Sequence, residues 1–218
     1  MKNIKKLYIY SLIAILAAVV TLSCVSNDDY SVPPVPAAGF FKETFNQVTK
    51  SNGDPISASP WPKVAAVINF DNEKEGVAYS DAYGTADIRK INGTNDLAKK
   101  GFFLWMPAAK NSSLTLDHLM IGNRKNITLR YRFNANVYNA GDIGNTNLLT
   151  VTLNDQKLSI PDTELNVSNN KNKYIGVMVR IPDNLIMDNS KLEFSVLSTD
   201  NTRGFRIKDI EFIENYEW

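Results

Sequence analysis

The side chains in this sequence that could do chemistry are few, and their scarcity narrows the options. Cys24 is the only cysteine and His118 the only histidine among 218 residues. With no second histidine, and with Cys24 assigned below to a lipid, zinc sites of ordinary composition are excluded. His118 stands beside Asp117 among the apolar Leu116, Leu119 and Met120, with no nucleophile motif nearby, and reads as a hydrogen-bonded structural residue. A pair of carboxylates could hydrolyse a glycoside, but the separation that chemistry requires is not legible in a sequence. The chain therefore reads as a non-enzyme, and its polar residues as binding groups.

The most suggestive row is Tyr83, Thr85, Asp87 and Arg89, which alternates with Gly84, Ala86 and Ile88. At a period of two it sets an aromatic ring, an acid and a guanidinium on one strand face and small or apolar residues on the other. Sugars present apolar C–H faces flanked by pairs of hydroxyls, so a site for them combines an aromatic plate with planar, fork-like hydrogen-bonding groups. Arg130 and Arg132, on another polar face, are candidate neighbours. So is Trp61, held stiffly between Pro60 and Pro62. The same residues also describe a solvated sheet surface with an Asp-Arg pair worth about 0 to 1 kcal/mol, and Trp61 could equally cap one end of the fold. Trp105, in the doubly apolar run "FFLWMP", belongs to the core, and Trp218 is a fraying end.

Cys24 has no partner for an intrachain disulfide, and a lone thiol calls for another explanation. Lys2, Lys5 and Lys6 precede an almost wholly apolar run from Leu7 to Val20, the build of an export signal and shorter than the roughly 20 residues that span a bilayer. Leu22-Ser23-Cys24 resembles a lipobox, with Thr21 where that pattern prefers Leu. The resemblance implies cleavage before Cys24 and acylation of its thiol, and several acyl chains together hold a protein to a membrane. Ser26-Asn27-Asp28-Asp29 resembles the acidic export signal of Bacteroidetes-type surface lipoproteins; a solvated acidic tether is the alternative. Val32-Pro33-Pro34-Val35-Pro36 follows as a semi-rigid spacer. The expected organisation is a signal over 1–23, a lipidated Cys24 and tether over 24–38, and a folded domain over 39–218.

Residues 24–218 keep 21 basic against 23 acidic side chains, since residues 1–23 hold three lysines and no acid. That balance disfavours nucleic acid as a partner. The domain is long enough for one substantial core. Its pattern is one of strands: Ile127, Leu129, Tyr131, Phe133 and Ala135 alternate with Thr128, Arg130, Arg132 and Asn134. The rhythm returns at Leu149 to Leu153, Ile175 to Ile181 and Leu192 to Val196. Turn-formers separate these runs at Asn154-Asp155, Pro182-Asp183-Asn184 and Asp200-Asn201. Helix is confined to short turns at Asn95 to Lys100 or Leu116 to Ile121. Many two-faced strands in one unit must pack as two sheets, which predicts an all-β antiparallel sandwich of jelly-roll type. Four glycosylation tripeptides, at Asn92, Asn111, Asn126 and Asn166, read as chance in an Asn-rich chain.

"GFFKETF" (39–45), "YGTADIRKI" (83–91), "GFFLWMPAA" (101–109) and "GFRIKDIEFIE" (204–214) resemble segments of the galactose-binding-like jelly rolls of Bacteroidetes surface lipoproteins. The resemblance implies a non-catalytic module, often one that captures carbohydrate; a structural accessory that binds another envelope protein is the alternative. It also implies a structural calcium between carboxylates of the first and last strands, where Glu43 and Asp209 stand. Calcium takes six to eight oxygens, so backbone carbonyls and water would have to complete the set. The odd spacing of Ile207 and Ile210 predicts a bulge at Lys208-Asp209, which either aims Asp209 at an ion or is a plain irregularity.

The anchor is checked by mass and by partition. The mature protein should carry acyl chains on Cys24 and enter the detergent phase of a cloud-point extraction, and Cys24→Ala should stay in water. An unmodified sulfur on a membrane-free protein would sink the assignment.

Overall fold

Nine residues, Ile127 to Ala135, display the rule by which this sequence folds. Ile127, Leu129, Tyr131, Phe133 and Ala135 are buried, whereas Arg130 and Arg132 between them face solvent. The computed structural model describes residues 38–91, 101–170 and 173–216. The signal, Cys24, nearly all of the tether, the Asn95 to Lys100 turn and Trp218 lie outside the described residues. In chain order the strands are β1 (Ala38–Glu43), β2 (Thr49–Lys50), β3 (Val67–Ile68), β4 (Ala78–Ser80), β5 (Asp87–Ile91), β6 (Gly101–Met106), β7 (Ser112–Leu119), β8 (Ile127–Ala135), β9 (Gly144–Asn145), β10 (Thr150–Leu153), β11 (Gln156–Lys157), β12 (Glu164–Leu165), β13 (Ile175–Arg180), β14 (Ser190–Val196) and β15 (Phe205–Glu214).

One sheet runs β13-β8-β15-β6-β5, with β1 also paired to β15, and the other runs β11-β10-β14-β7-β4. Two-stranded pieces β2-β3 and β9-β12 flank them. All pairings are antiparallel, and from β7 onward the chain crosses repeatedly between the sheets. This is the expected β-sandwich of jelly-roll type. Inner-face residues such as Leu104, Leu114, Leu129, Phe133 and Ile207 are fully buried, each contributing about 1.5 to 3 kcal/mol. Tyr131 meets Phe194 of the opposite sheet edge-on, with ring centroids 5.1 Å apart. Asn154 and Asp155, both at positive φ, close the two-residue hairpin between Leu153 and Gln156.

Two local expectations need correction. Leu116 to Leu119 ends strand β7 and is not helical; the described α-helix is Val167–Asn170. His118 is exposed at a left-handed kink with φ 63°, where the β14-β7 register shifts, so it is no interior structural histidine.

The bulge in β15 falls where the sequence put it. The β15-β8 register shifts between Lys208 and Glu211, and Asp209 sits at φ 51°. Below the shift Glu43 pairs with Ile210 and enters the interior fully buried, whereas Asp209 lies on the outer face against Arg132 at 3.2 Å. The two carboxylates therefore face opposite sides of the sheet and do not fit a shared calcium. No group of three or more His, Cys, Asp or Glu among the described residues is placed to hold a metal ion. Glu43 instead accepts hydrogen bonds from Phe45 N (2.7 Å), Asp71 N (3.1 Å) and the Tyr79 hydroxyl (2.6 Å), which ties β1 to β4 of the facing sheet.

Burial pushes the Glu43 carboxyl up from its ordinary 4.5 to about 7; the Asp71 carboxylate pushes the same way, and the hydrogen bond from Tyr79 opposes both. An acid raised in the folded state holds a proton that the unfolded chain has lost, so its contribution is complete below about pH 4.5 and disappears as pH rises through 7. A shift of this size corresponds to roughly 3 kcal/mol. Glu43→Gln keeps the shape and removes the titration. Between pH 5 and pH 8, thermal unfolding should show wild type losing about that much relative to the variant; an unchanged difference would refute the assignment.

Candidate binding face

The outer face of the six-stranded sheet is built from every second residue of its strands. Register places Asp87 opposite Trp105, Trp105 opposite Arg206, and Arg206 opposite Asn134. Two residues along β5, Arg89 faces Phe103; two along β15, Lys208 faces Arg132. Four strands thus contribute one continuous patch.

Arg206 is its centre. Its guanidinium lies 5.6 Å from the Phe103 ring, 5.4 Å from Trp105 and 6.0 Å from Tyr138. It donates to Asn134 Oδ1 (2.9 Å), Asn136 Oδ1 (2.7 Å) and the Tyr138 hydroxyl (2.7 Å), all neutral acceptors. Asn134 is itself fixed by donating to Asn170 O at 2.8 Å, and the buried Asn170 accepts from Ala135 N at 2.8 Å. Tyr138 is held by the Asp142 carboxylate, which accepts from Tyr138 N (3.2 Å) and Asn139 N (3.0 Å) and pairs with Arg203 at 2.9 Å.

Trp105 is buried, as its apolar setting predicts, yet it belongs to this outer face and not to the space between the sheets. Guanidinium groups cover it: Arg89 stacks 4.8 Å from its ring, next to Arg206. Gly204, at φ +83°, lies so close that an added Cβ would run into the ring. The buried Asn201 sets that approach by accepting from Gly204 N (2.8 Å) and donating to Pro107 O (2.7 Å).

The row read from Tyr83 to Arg89 is only half a strand. Asp87 and Arg89 share the outer face of β5, and Arg89 grips Asp87 through Nε (2.5 Å) and NH2 (3.1 Å), with Lys63 at 3.5 Å on the other side. Asp87 is buried, so this is no solvated surface pair. Tyr83 instead occupies a turn between the sheets. Asp81 holds that turn by accepting from Tyr83 N, Thr85 N, Ala86 N and Ser113 N at 2.6 to 3.1 Å. The Thr85 hydroxyl is tied to Asn111 O at 2.6 Å. Trp61 is half-buried and packs against the core, so it is not an exposed plate.

Arg130 and Arg132 do lie on the same outer face as Arg89, three strand spacings or about 14 Å away. They line a groove of about 390 Å³ with Lys42, Tyr174, Asp209 and Glu211. Arg130 pairs with Glu211, and Arg132 and Lys208 share Asp209. Sequence reading missed Arg206, Tyr138, Tyr174 and Phe103. The alternation Phe205-Arg206-Ile207-Lys208 would have placed Arg206 and Lys208 on this face.

No protein-family model and no curated protein matches the chain. Among solved structures it is similar to the CBM22-1 xylan-binding domain of Paenibacillus barcinonensis Xyn10C, at 6% identity and TM-score 0.46 over 84% of this chain and 97% of that one. It is similar to CBM35 from Paenibacillus barcinonensis at 10% identity and TM-score 0.42, over 63% and 91% of the two chains. A family 35 carbohydrate binding module from Clostridium thermocellum gives 8% identity and TM-score 0.41, over 64% and 92%. These are likenesses of sheet arrangement, and no site residue is carried across from them.

Proposed function

We propose that this chain is a membrane-anchored, non-catalytic binding module that captures carbohydrate on the outer face of its six-stranded sheet. The observation that carries this reading is the cluster of Arg206 and Arg89 on Trp105 with Tyr138 alongside. A sugar needs planar donors that pair with adjacent hydroxyls and a ring to lie against. Here the donors are stacked on aromatic rings and their side chains are immobilised before any ligand arrives, which lowers the entropy lost on binding. Tyr138 supplies a partly exposed ring with a hydroxyl at its tip. Among the described residues the facing sheet offers no comparable surface: its outer positions include Thr115, Thr150, Thr152 and Ser195 around Glu193, with Asp117, Lys157 and Lys191. In this reading acyl chains on Cys24 hold the protein at the outer membrane, and the proline-rich tether extends the module toward the cell exterior.

A second reading, docking of another envelope protein, has one observation in its favour. Among the described residues β13 is a six-residue edge with a neighbour on one side only, and Ile175 to Val179 carry no charge and no proline. Of the other edges, β4 and β11 have only three and two residues, β5 is met by Pro62 and Lys63, and β1, also six residues long, carries the charged Lys42 and Glu43 and offers Lys42 O to Asn72 Nδ2 at 2.8 Å.

Affinity electrophoresis of the full chain through gels containing single polysaccharides tests the first reading. Retardation is expected on at least one polymer, with Tyr138→Ala and Arg89→Ala each weakening it about tenfold. No retardation on a broad panel, together with stoichiometric co-purification of one envelope protein, would replace it with the second.

A further inference from the structure

Charge on the binding face is unevenly matched. Lys42, Arg89, Arg130, Arg132, Arg206 and Lys208 stand on it against Asp87, Asp209 and Glu211. Two of the acids are shared. Asp87 lies between Arg89 and Lys63, and Asp209 between Arg132 and Lys208. No described carboxylate pairs with Arg206, whose acceptors are two amides and a phenol. Its Nε–H is buried without a hydrogen-bond partner among the described residues, and so is the hydroxyl of Tyr174, whose ring lies beneath the Lys208 ammonium at 5.5 Å. Burial raises the Tyr174 hydroxyl well above its ordinary range, so it remains a neutral group able to donate. The face therefore combines surplus positive charge with donors that lack acceptors. On the opposite sheet Glu193 and Asp117 stand with Lys191 and Lys157, so the described strand residues show no such surplus there.

We propose that the polysaccharide taken by this face is acidic, its uronate carboxylates seated in the groove between Arg132, Arg130 and Tyr174 and drawn by the uncompensated charge of Arg206. The inference rests on the carbohydrate reading and narrows it. A carboxylate is planar and accepts two parallel N–H bonds, the geometry a guanidinium offers. The groove, at about 390 Å³, falls within the range of small-ligand sites. Sharing makes the exchange feasible: when an incoming carboxylate takes Arg132, Asp209 keeps Lys208. A neutral glycan would leave the positive surplus unmatched.

The test compares one polymer with its own neutral form: polygalacturonate, and polygalacturonate whose carboxyls have been reduced to primary alcohols. Binding of the full chain in non-ionic detergent is measured by calorimetry. The native polymer should bind, the reduced polymer should bind at least tenfold more weakly, and raising NaCl from about 50 mM to about 500 mM should weaken the native interaction by a similar factor. Arg132→Gln, at an exposed side chain whose loss spares the core, should reduce affinity about fivefold, and Asp209→Asn should increase it. Equal binding of both polymers with no salt dependence would overturn the acidic assignment and leave carbohydrate binding intact. No binding of either polymer would also overturn it, and retardation on neutral polysaccharides in the affinity gels then separates that failure from failure of the carbohydrate reading.

Discussion

Strand β15 has to serve three neighbours, and most of the molecule follows from how it does so. Along one side it pairs with β8 for nearly its whole length. Along the other it pairs with β6 over Phe205 to Ile207 and with β1 over Ile210 to Glu214. The bulge at Lys208-Asp209 lies at the changeover, where an extra residue lets the strand turn without exposing Ile207 or Ile210. The upper half then holds Arg206 against Trp105, and the lower half directs Glu43 inward toward Tyr79. A straight strand could not place both.

The two halves use charge in opposite ways. Glu43 is a carboxyl surrounded by donors in a dry interior, stable there largely because it can carry a proton. Arg206 cannot lose its charge, so it is accommodated by three rings and three neutral acceptors. Immobilising the guanidinium fixes the direction of its field, which a flexible surface arginine does not do.

Much of this architecture is legible in the sequence because a period of two needs only local information. The alternation in Ile127 to Ala135, the hairpin at Asn154-Asp155 and the odd spacing of Ile207 and Ile210 each mark a structural feature that is present. What alternation does not reveal is which strand lies beside which, so the meeting of Arg206 from β15 with Trp105 from β6 was invisible, and Trp105 read as ordinary core. The polar face itself misled at Thr128 and Asn134, which alternate with the apolar residues yet are buried beneath neighbouring elements. Tyr83 misled for another reason: Asp81 gathers four backbone N–H groups and bends the chain before the strand begins, three of them local and one from Ser113, which is adjacent only in space. Glu43 and Asp209 are neighbours in the ladder, but the pleat sends them to opposite sides.

Because Asp87 and Asp209 each touch two cations, neither carboxylate is left bare when one of those partners is exchanged. The scaffold is in that sense redundant beneath a changeable surface. Related chains could drift through different outward chemistries one substitution at a time, while the sheet underneath stays folded throughout.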